Sequence, residues 1–325
     1  MPASAALTFK PDRRSLLLGA AAVSVAAGSP STPVANAVGD ESGMADVPGG
    51  KVWWLRASTA ASKKTPLLTL HGGPGSGHNY LLPLKALADE RPVIFYDQLG
   101  CGKADAPADD SLYTIARAVQ EVDAVRKALK LDKVILYGHS WGAMLALEYM
   151  IATGGAGVEK LIVGGALASI PQAVAGMGRL IDALPDGAGA RLKALEAAHK
   201  ETSQEYQDLV GLFYQRHLCR VPFPPEVLAT IENLGKSPAY RVMNGPNEFT
   251  IVGNIKDWDR RADLGKITLP TLITTGEFDE ITVDCHQTIQ AGVKGSELTI
   301  FGECSHLTMN EKPDAYVRTL RAFMG

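Results

Sequence analysis

One serine lies in a pattern that can make it a nucleophile. Residues 138–142 are Gly-His-Ser-Trp-Gly; they follow the apolar run 133–137 and precede the apolar stretch 143–151. A strand that turns sharply into a helix at Gly-x-Ser-x-Gly exposes the serine hydroxyl beside the helix N-terminus, where negative charge is favoured. The pattern therefore predicts a nucleophilic Ser140, and an ordinary turn is the alternative.

A serine hydroxyl needs a neighbouring base, and the base needs an acid that orients it. His306 and Asp279 each follow a predicted buried strand in the C-terminal part of the chain. Because ligands meet at the carboxyl ends of parallel strands, we expect both side chains to lie near Ser140. Two alternatives stay open: Glu277 or Glu280 could supply the acid, and His306 could be a surface-loop histidine.

The loop 71–75, His-Gly-Gly-Pro-Gly, lets backbone amides approach an oxygen that becomes negative during a reaction. We expect the N–H groups of Gly73 and Trp141 to form an oxyanion hole, and an ordinary Pro-Gly turn is the alternative. A phosphate-binding loop is disfavoured because its Lys-Ser/Thr ending is missing. Such a site would cleave an ester or amide through an acyl intermediate, without a metal or an organic cofactor.

Short buried runs that alternate with helical stretches would position these residues. The runs that predict strands are 51–56, 65–70, 92–96, 133–137, 160–164, 270–274 and 298–301. Apolar residues from Leu112 to Leu129 recur at helical spacing, and 313–324 forms a last predicted helix. This alternation predicts an α/β fold with a mostly parallel sheet covered by helices on both faces.

The strand pattern stops in the middle of the chain. Residues 170–261 show helix-like stretches interrupted by prolines and no convincing strand. We therefore predict a core formed by 38–169 and 262–325, with 170–261 inserted as a helical cap.

Composition excludes several other classes of protein. The 325 residues are 46% hydrophobic and 21% charged, with a formal net charge of −3, which is ordinary for a globular protein. Without a basic stripe, nucleic-acid binding is not expected. The cysteines form no C-x-x-C pair, so a metal site is not expected, while a disulfide and free thiols both stay open; they are Cys101, Cys219, Cys285 and Cys304.

Residues 1–37 predict an export signal. Adjacent arginines at positions 13 and 14 precede the apolar run 15–27, and 35–37 are Ala-Asn-Ala, a cleavage pattern. The twin arginines resemble those of bacterial twin-arginine signals. The apolar run is shorter than the roughly 20 residues that span a bilayer. We expect a periplasmic or extracellular mature protein beginning near Val38, without membrane insertion; an uncleaved, anchored form is the alternative.

The motifs together resemble the proline iminopeptidase family of α/β-hydrolases, in its branch of tricorn-interacting aminopeptidases and L-amino-acid amidases. The resemblance covers about residues 50–325 and includes the segment 97–102, Asp-Gln-Leu-Gly-Cys-Gly, beside the loop 71–75 and the segment 138–142. The order serine, acid, histidine also fits these hydrolases. The resemblance implies an α/β-hydrolase fold and cleavage of an amide next to a free amino or imino group, in a small peptide or an amino-acid amide.

The cap segment 243–249, Met-Asn-Gly-Pro-Asn-Glu-Phe, extends this resemblance. In that family a cap glutamate receives the substrate's amino group, and the matching position is Glu248. Alternatively, Glu248 caps a helix or pairs with Arg241. The second cap carboxylate of the tricorn-interacting relatives has no counterpart here before Glu226. The resemblance thus implies a single anchor and leaves an aminopeptidase and an amidase both open.

The same residues bear on three other functions. An esterase or other acyl hydrolase could use the same triad without an amine anchor. A non-catalytic hydrolase-fold binding protein is disfavoured by the intact triad and oxyanion loop. Dehalogenase and epoxide hydrolase chemistry is disfavoured because those relatives usually carry aspartate at the position of Ser140.

Overall fold

The structure, a computed structural model, describes residues 39–58 and 62–325, which form an eight-stranded sheet with helices on both faces. The strands are β1 (Glu41–Val47), β2 (Gly50–Ala57), β3 (Leu67–Leu70), β4 (Val93–Asp97), β5 (Val134–His139), β6 (Val158–Gly164), β7 (Thr271–Gly276) and β8 (Glu297–Phe301). Their order is β1-β2-β4-β3-β5-β6-β7-β8. The pairings of β1 with β2 and of β2 with β4 are antiparallel, and all the others are parallel. The predicted α/β class and mostly parallel sheet are confirmed.

Nine α-helices surround the sheet in the described part of the chain. They are α1 (Ile115–Ala128), α2 (Trp141–Thr153), α3 (Ile170–Asp182), α4 (Ala188–Ala197), α5 (Gln204–His217), α6 (Pro225–Lys236), α7 (Val283–Gly292), α8 (Thr308–Glu311) and α9 (Pro313–Met324). Shorter 3-10 segments are Asn79–Asp89, Asp110–Leu112, Pro185–Gly187 and Arg261–Lys266, and Tyr240–Asn244 forms a π-helical turn.

The sheet separates two hydrophobic cores, because successive side chains of a strand point to opposite faces. Leu68 and Leu70 of β3 join the core that contains α1, α2 and α7, whereas Leu67 joins the core that contains α9. Burial on both faces explains why β3 is apolar throughout and shows no alternation.

Helix α1 is shorter than its apolar pattern predicts. The side chain of Thr114 accepts a hydrogen bond from the Arg117 amide and caps the N-terminus, so the helix begins at Ile115. Leu112 lies in the preceding 3-10 turn, and Leu129 lies just past the last helical residue.

The first strand, β1, was not predicted. Its residues 41–47 are mostly exposed, only Ala45 is buried, and it pairs with β2 alone. An edge strand with one neighbour needs no apolar alternation, so its sequence carries little strand signal.

The chain between β6 and β7 contains α3 to α6 and coincides with the predicted cap, whose standing as a separate unit stays a prediction. Ser169 and Asp259 meet in an isolated β-bridge at its two ends. Glu148 of α2 accepts hydrogen bonds from Trp258 (2.9 Å) and from Arg260 (2.7 and 2.8 Å). These contacts fix the end of the segment to the helix that begins beside Ser140.

The predicted export signal lies outside the described residues. Within 39–58 and 62–325, no helix has the length and apolar character that crossing a membrane requires. The four cysteines are buried, free thiols, which is one of the two states that the sequence left open.

Candidate active site

Ser140 lies at the turn from β5 to α2, with φ 56° and ψ −124°, a conformation that residues other than glycine rarely adopt. Its amide donates to the carbonyl of Gly164 at 2.9 Å, which holds the turn against β6. A Cβ on Gly138 would lie 2.2 Å from the Gly142 carbonyl oxygen, and one on Gly142 would lie 2.0 Å from the Leu70 carbonyl oxygen. Both flanking glycines are therefore required for the close approach of strand and helix.

His306 and Asp279 form a buried, hydrogen-bonded pair. The His306 Nδ1–H donates to Asp279 Oδ1 at 2.7 Å, and Asp279 also accepts from the Ile281 amide (2.8 Å) and the Thr275 hydroxyl (3.1 Å). Burial would raise the pKa of Asp279, but the nearby His306 and these hydrogen bonds hold it below its usual value. Because Nδ1 is hydrogen-bonded to Asp279, Nε2 is the ring nitrogen available to a group in the cavity. His306 lines this cavity together with Ser140.

The other two acids of this loop do not hydrogen-bond to His306. Glu277 points to the surface and accepts from the Glu303 amide at 3.0 Å. Glu280 approaches the opposite nitrogen of the imidazole, with Oε1 3.8 Å from Nε2. Of the three candidate acids, the structure places Asp279 in the orienting position.

Glu280 is the unexpected residue of the site. Its side chain is 2% exposed, and its Oε2 has no hydrogen-bond partner among the residues that the structure describes. Burial raises the pKa of Glu280 well above its usual value, His306 opposes that shift, and the charges of Glu248 and Asp279 add to it. A buried carboxylate oxygen without a donor is unfavourable unless a ligand supplies one.

Glu248 reaches the same cavity from the segment between β6 and β7. It is half-buried, and its Oε1 accepts a hydrogen bond from the Tyr240 hydroxyl at 2.8 Å. Burial raises its pKa, against the effects of this hydrogen bond and of His306. Arg241, the alternative partner, pairs with Asp110 at 2.6 Å instead, and Glu248 caps no helix.

The structure thus places a second acid, Glu280, close to His306, where the family resemblance implied only Glu248. In the tricorn-interacting relatives the resemblance places a second acid in the cap, whereas Glu280 comes from the loop after β7. The position of Glu280 next to Asp279 indicates from sequence that it lies near the site. The sequence, however, suggested it only as an alternative to Asp279 for orienting His306.

The glycine loop leaves a backbone donor free. Gly73 has φ 110°, and a Cβ there would lie 2.5 Å from the Gly75 amide nitrogen, so only glycine fits. In the described part of the chain, the N–H groups of Gly73 and Trp141 donate to no protein acceptor. Gly73 lines the cavity, and Trp141 directly follows Ser140 as the first residue of α2.

A buried chain of hydrogen bonds ties this loop to His306. The Gly72 amide donates to the Tyr80 hydroxyl (2.7 Å), which lies 3.1 Å from Nδ1 of His139. Nε2 of His139 lies 3.0 Å from the His306 carbonyl oxygen. Burial, followed by the charge of His306, lowers the pKa of His139 to about 3, so its ring is neutral. A neutral ring with its proton on Nε2 donates to His306 and accepts from Tyr80.

Gln98 ties the loop to α2 from the other side. Its Nε2 donates to the His71 carbonyl, and its Oε1 accepts from the Trp141 indole, both at 2.9 Å. Its backbone amide also donates to the His71 ring at 2.9 Å. Gln98 and Tyr80 were not predicted as site residues; Gln98 lies in the segment 97–102, which contributed only to the family resemblance.

The cavity between these groups has mostly apolar walls. Helix α6 contributes Val227, Ile231 and Leu234, and Leu218 and Leu307 also line the cavity. An apolar substrate side chain can therefore pack here while its polar backbone groups meet Ser140 and the acids.

Three acids shape the electrostatics of His306. Burial alone would lower its pKa, but Asp279, then Glu280 and Glu248, raise it to about 9. These acids, when ionised, therefore favour the protonated imidazole in the free protein.

A family model described as the alpha/beta hydrolase fold matches residues 65–313. Similar proteins include a proline iminopeptidase of Saccharolobus solfataricus, 46% identical over 261 residues that cover 79% of this chain and 84% of the relative. A proline iminopeptidase of Thermoplasma volcanium is 42% identical over 287 residues, covering 87% of this chain and 96% of the relative.

Among solved structures, the proline iminopeptidase of Mycobacterium smegmatis superposes with a TM-score of 0.83 at 33% identity. The match covers 87% of this chain and 97% of that one, so it includes both the sheet and the helical segment between β6 and β7.

Proposed function

This chain belongs to the proline iminopeptidase family of α/β-hydrolases, and from that premise we propose that it hydrolyses the amide bond after a free N-terminal amino or imino group. Its substrates would be small peptides or amino-acid amides. The observation that carries the proposal is the pair of acidic side chains, Glu248 and Glu280, beside His306. Neither forms an ion pair with a lysine or arginine of residues 39–58 and 62–325.

A substrate ammonium would supply the missing donors. A protonated amine carries two or three N–H groups and one positive charge, which suits two acidic side chains in a partly dry site. A substrate blocked at nitrogen would leave Glu280 buried without a partner, which disfavours binding of internal peptide segments. The anchor recognises the amine and not the leaving group, so peptides and amino-acid amides both fit.

The proposed chemistry uses the groups around the cavity. Ser140 Oγ attacks the substrate carbonyl while its proton passes to His306 Nε2, and Asp279 holds the imidazole through Nδ1. The amides of Gly73 and Trp141 would stabilise the oxyanion. His306 then gives the proton to the departing amine, and the acyl-enzyme forms. Water attacks this ester in the same way, the proton again passing through His306, and releases the free acid and Ser140.

Substitution of Glu248 tests the anchor. Glu248→Gln keeps the shape and removes the charge, so kcat/KM for a prolyl or alanyl anilide should fall about 10- to 100-fold, the value of a charge-assisted bond of roughly 1.5–3 kcal/mol. N-acetylated anilides and simple acyl esters, measured in parallel, should show no such loss.

Two results would count against the anchor. Equal losses on amine-bearing and N-blocked substrates would assign Glu248 a structural role. Efficient hydrolysis of N-blocked substrates by the unmodified protein would favour an esterase.

We also propose that the protein is exported. The support is the sequence alone: arginines 13 and 14, the apolar run 15–27 and the cleavage pattern 35–37. The mature protein would then work in the periplasm or outside the cell, on substrates that reach it there.

A further inference from the structure

We propose that the substrate's own ammonium group, when it sits between Glu248 and Glu280, frees His306 to act as the general base. This inference rests on the proposed function and extends it from binding to catalysis. The free amine would contribute to binding through its hydrogen bonds and to catalysis through its effect on the imidazole.

The geometry places acids on both nitrogens of one ring. Asp279 occupies Nδ1 at 2.7 Å, and Glu280 lies 3.8 Å from Nε2, the nitrogen that must accept the serine proton. Glu248 lines the cavity that His306 and Ser140 also line. Only one of the three acids is needed to orient the imidazole, so the other two act on its charge.

Among residues 39–58 and 62–325, no lysine or arginine forms an ion pair with these acids. The ring of His139 lies 4.6 Å from that of His306, and His286 lies on α7, where its charge would act on Asp279. Burial lowers the pKa of both histidines, so both are neutral. Burial likewise raises the pKa of Tyr214 and Tyr240 beside Glu248, so neither phenol adds charge.

Burial raises the pKa of Glu248 and Glu280 themselves, but each of them, when ionised, holds a proton on the base. The pKa of His306 is raised to about 9, and a protonated Nε2 cannot accept the proton of Ser140.

A bound ammonium reverses this effect. A positive charge between Glu248 and Glu280 offsets their field at His306 and lowers the pKa of the imidazole, so its proton is released to solvent. A neutral amide or ester in the same place brings no charge and leaves His306 protonated. The site would then discriminate against N-blocked substrates even when they are bound.

A direct test follows the His306 imidazole by NMR. In Ser140→Ala, which cannot turn over, the pKa of His306 should be near 9 in the free protein. Saturation with prolinamide should lower it by at least one unit, and saturation with N-acetylprolinamide should not. An unchanged pKa at saturating prolinamide would overturn the inference while leaving the amine anchor intact. Failure of prolinamide to bind would overturn the proposed function, and this inference with it.

A second test labels the active serine with a neutral fluorophosphonate. The labelling rate reports how much of His306 is unprotonated in the free enzyme. The labelling rate of the unmodified protein should rise with pH to a midpoint near 9. In Glu280→Gln the midpoint should fall by at least one unit, so that labelling at pH 7 becomes about 10-fold faster.

The matched control for this test is Glu277→Gln, in the same loop but with its carboxylate on the Glu303 amide. Its profile should coincide with that of the unmodified protein. An unshifted profile in Glu280→Gln, or an equal shift in the control, would refute the inference. If the unmodified protein is not labelled at any pH, Ser140 is not an activated nucleophile, and the inference fails with that assignment.

Discussion

Replacing Tyr80 by phenylalanine should weaken catalysis without weakening substrate binding. The hydroxyl of Tyr80 accepts from the Gly72 amide at 2.7 Å and donates to His139 at 3.1 Å. The substitution removes one oxygen atom from a residue that is 2% exposed and leaves the ring in place. The amide next to Gly73 then loses the contact that fixes the glycine loop.

The effect on stability follows from the two groups that lose their partner, the Gly72 amide and Nδ1 of His139. Each unpaired buried polar group costs about 1–3 kcal/mol, so the free energy of unfolding should fall by about 2–6 kcal/mol. Tyr80 lines the cavity, from which water can reach the exposed amide, so a value near the lower bound is expected.

The effect on rate follows from the loosened oxyanion donor. Complete loss of such a donor costs roughly 3 kcal/mol of barrier, and a displaced donor should cost about 1–2 kcal/mol, or roughly 5- to 30-fold in kcat. KM should change little because the ring of Tyr80 still lines the cavity. Steady-state kinetics with a prolyl anilide and urea unfolding would measure the two effects separately.

Tyr137→Phe is the matched control. Its hydroxyl is also buried, but it pairs with Tyr316 at 2.9 Å and forms no hydrogen bond with the glycine loop. It should lose stability and keep kcat within about twofold of the unmodified protein. Normal kcat in Tyr80→Phe would show that the loop holds its geometry without this tie, and an equal kcat loss in the control would show a general effect of destabilisation.

The remaining predictions concern the nucleophile, the buried histidines and the leader. Ser140→Ala should lower kcat by roughly 10⁴- to 10⁶-fold, and a purified variant that keeps more than about a tenth of the activity would contradict the assignment. His71 and His139 are buried with pKa values of about 4 and about 3. Below pH 6.5 these two histidines bind protons in the unfolded chain but stay neutral in the folded protein. The free energy of unfolding should therefore fall by about 1.4 kcal/mol per pH unit for each of them. Urea titrations between pH 7 and pH 4 measure that slope, and replacing His139 by asparagine should reduce it; an unchanged slope would mean that His139 does not contribute. Mass spectrometry of the protein from its native cells should find a mature chain that begins near Val38, whereas an intact leader on cytoplasmic protein would rule out export.

Local sequence determined the parts of the site that depend on chain geometry alone. The strained turn at Ser140 needs Gly138 and Gly142 within four residues of each other, and a buried strand and helix on either side identify it without any distant contact. The α/β class followed in the same way, because apolar runs and helical spacing are properties of single elements. The edge strand β1 was not predicted because its residues are mostly exposed.

Only the tertiary structure decided which side chains meet. The loop after β7 carries three acids within four residues, and spacing could not tell which one faces Nδ1 of His306, which faces Nε2 and which faces solvent. The partnership of Glu280 with Glu248 joins a loop of the core to the segment between β6 and β7, and the ties made by Tyr80 and Gln98 span three separate parts of the chain. These contacts depend on how the elements pack, because the charge and hydrogen-bonding capacity of a residue do not specify its partner until packing brings the two together.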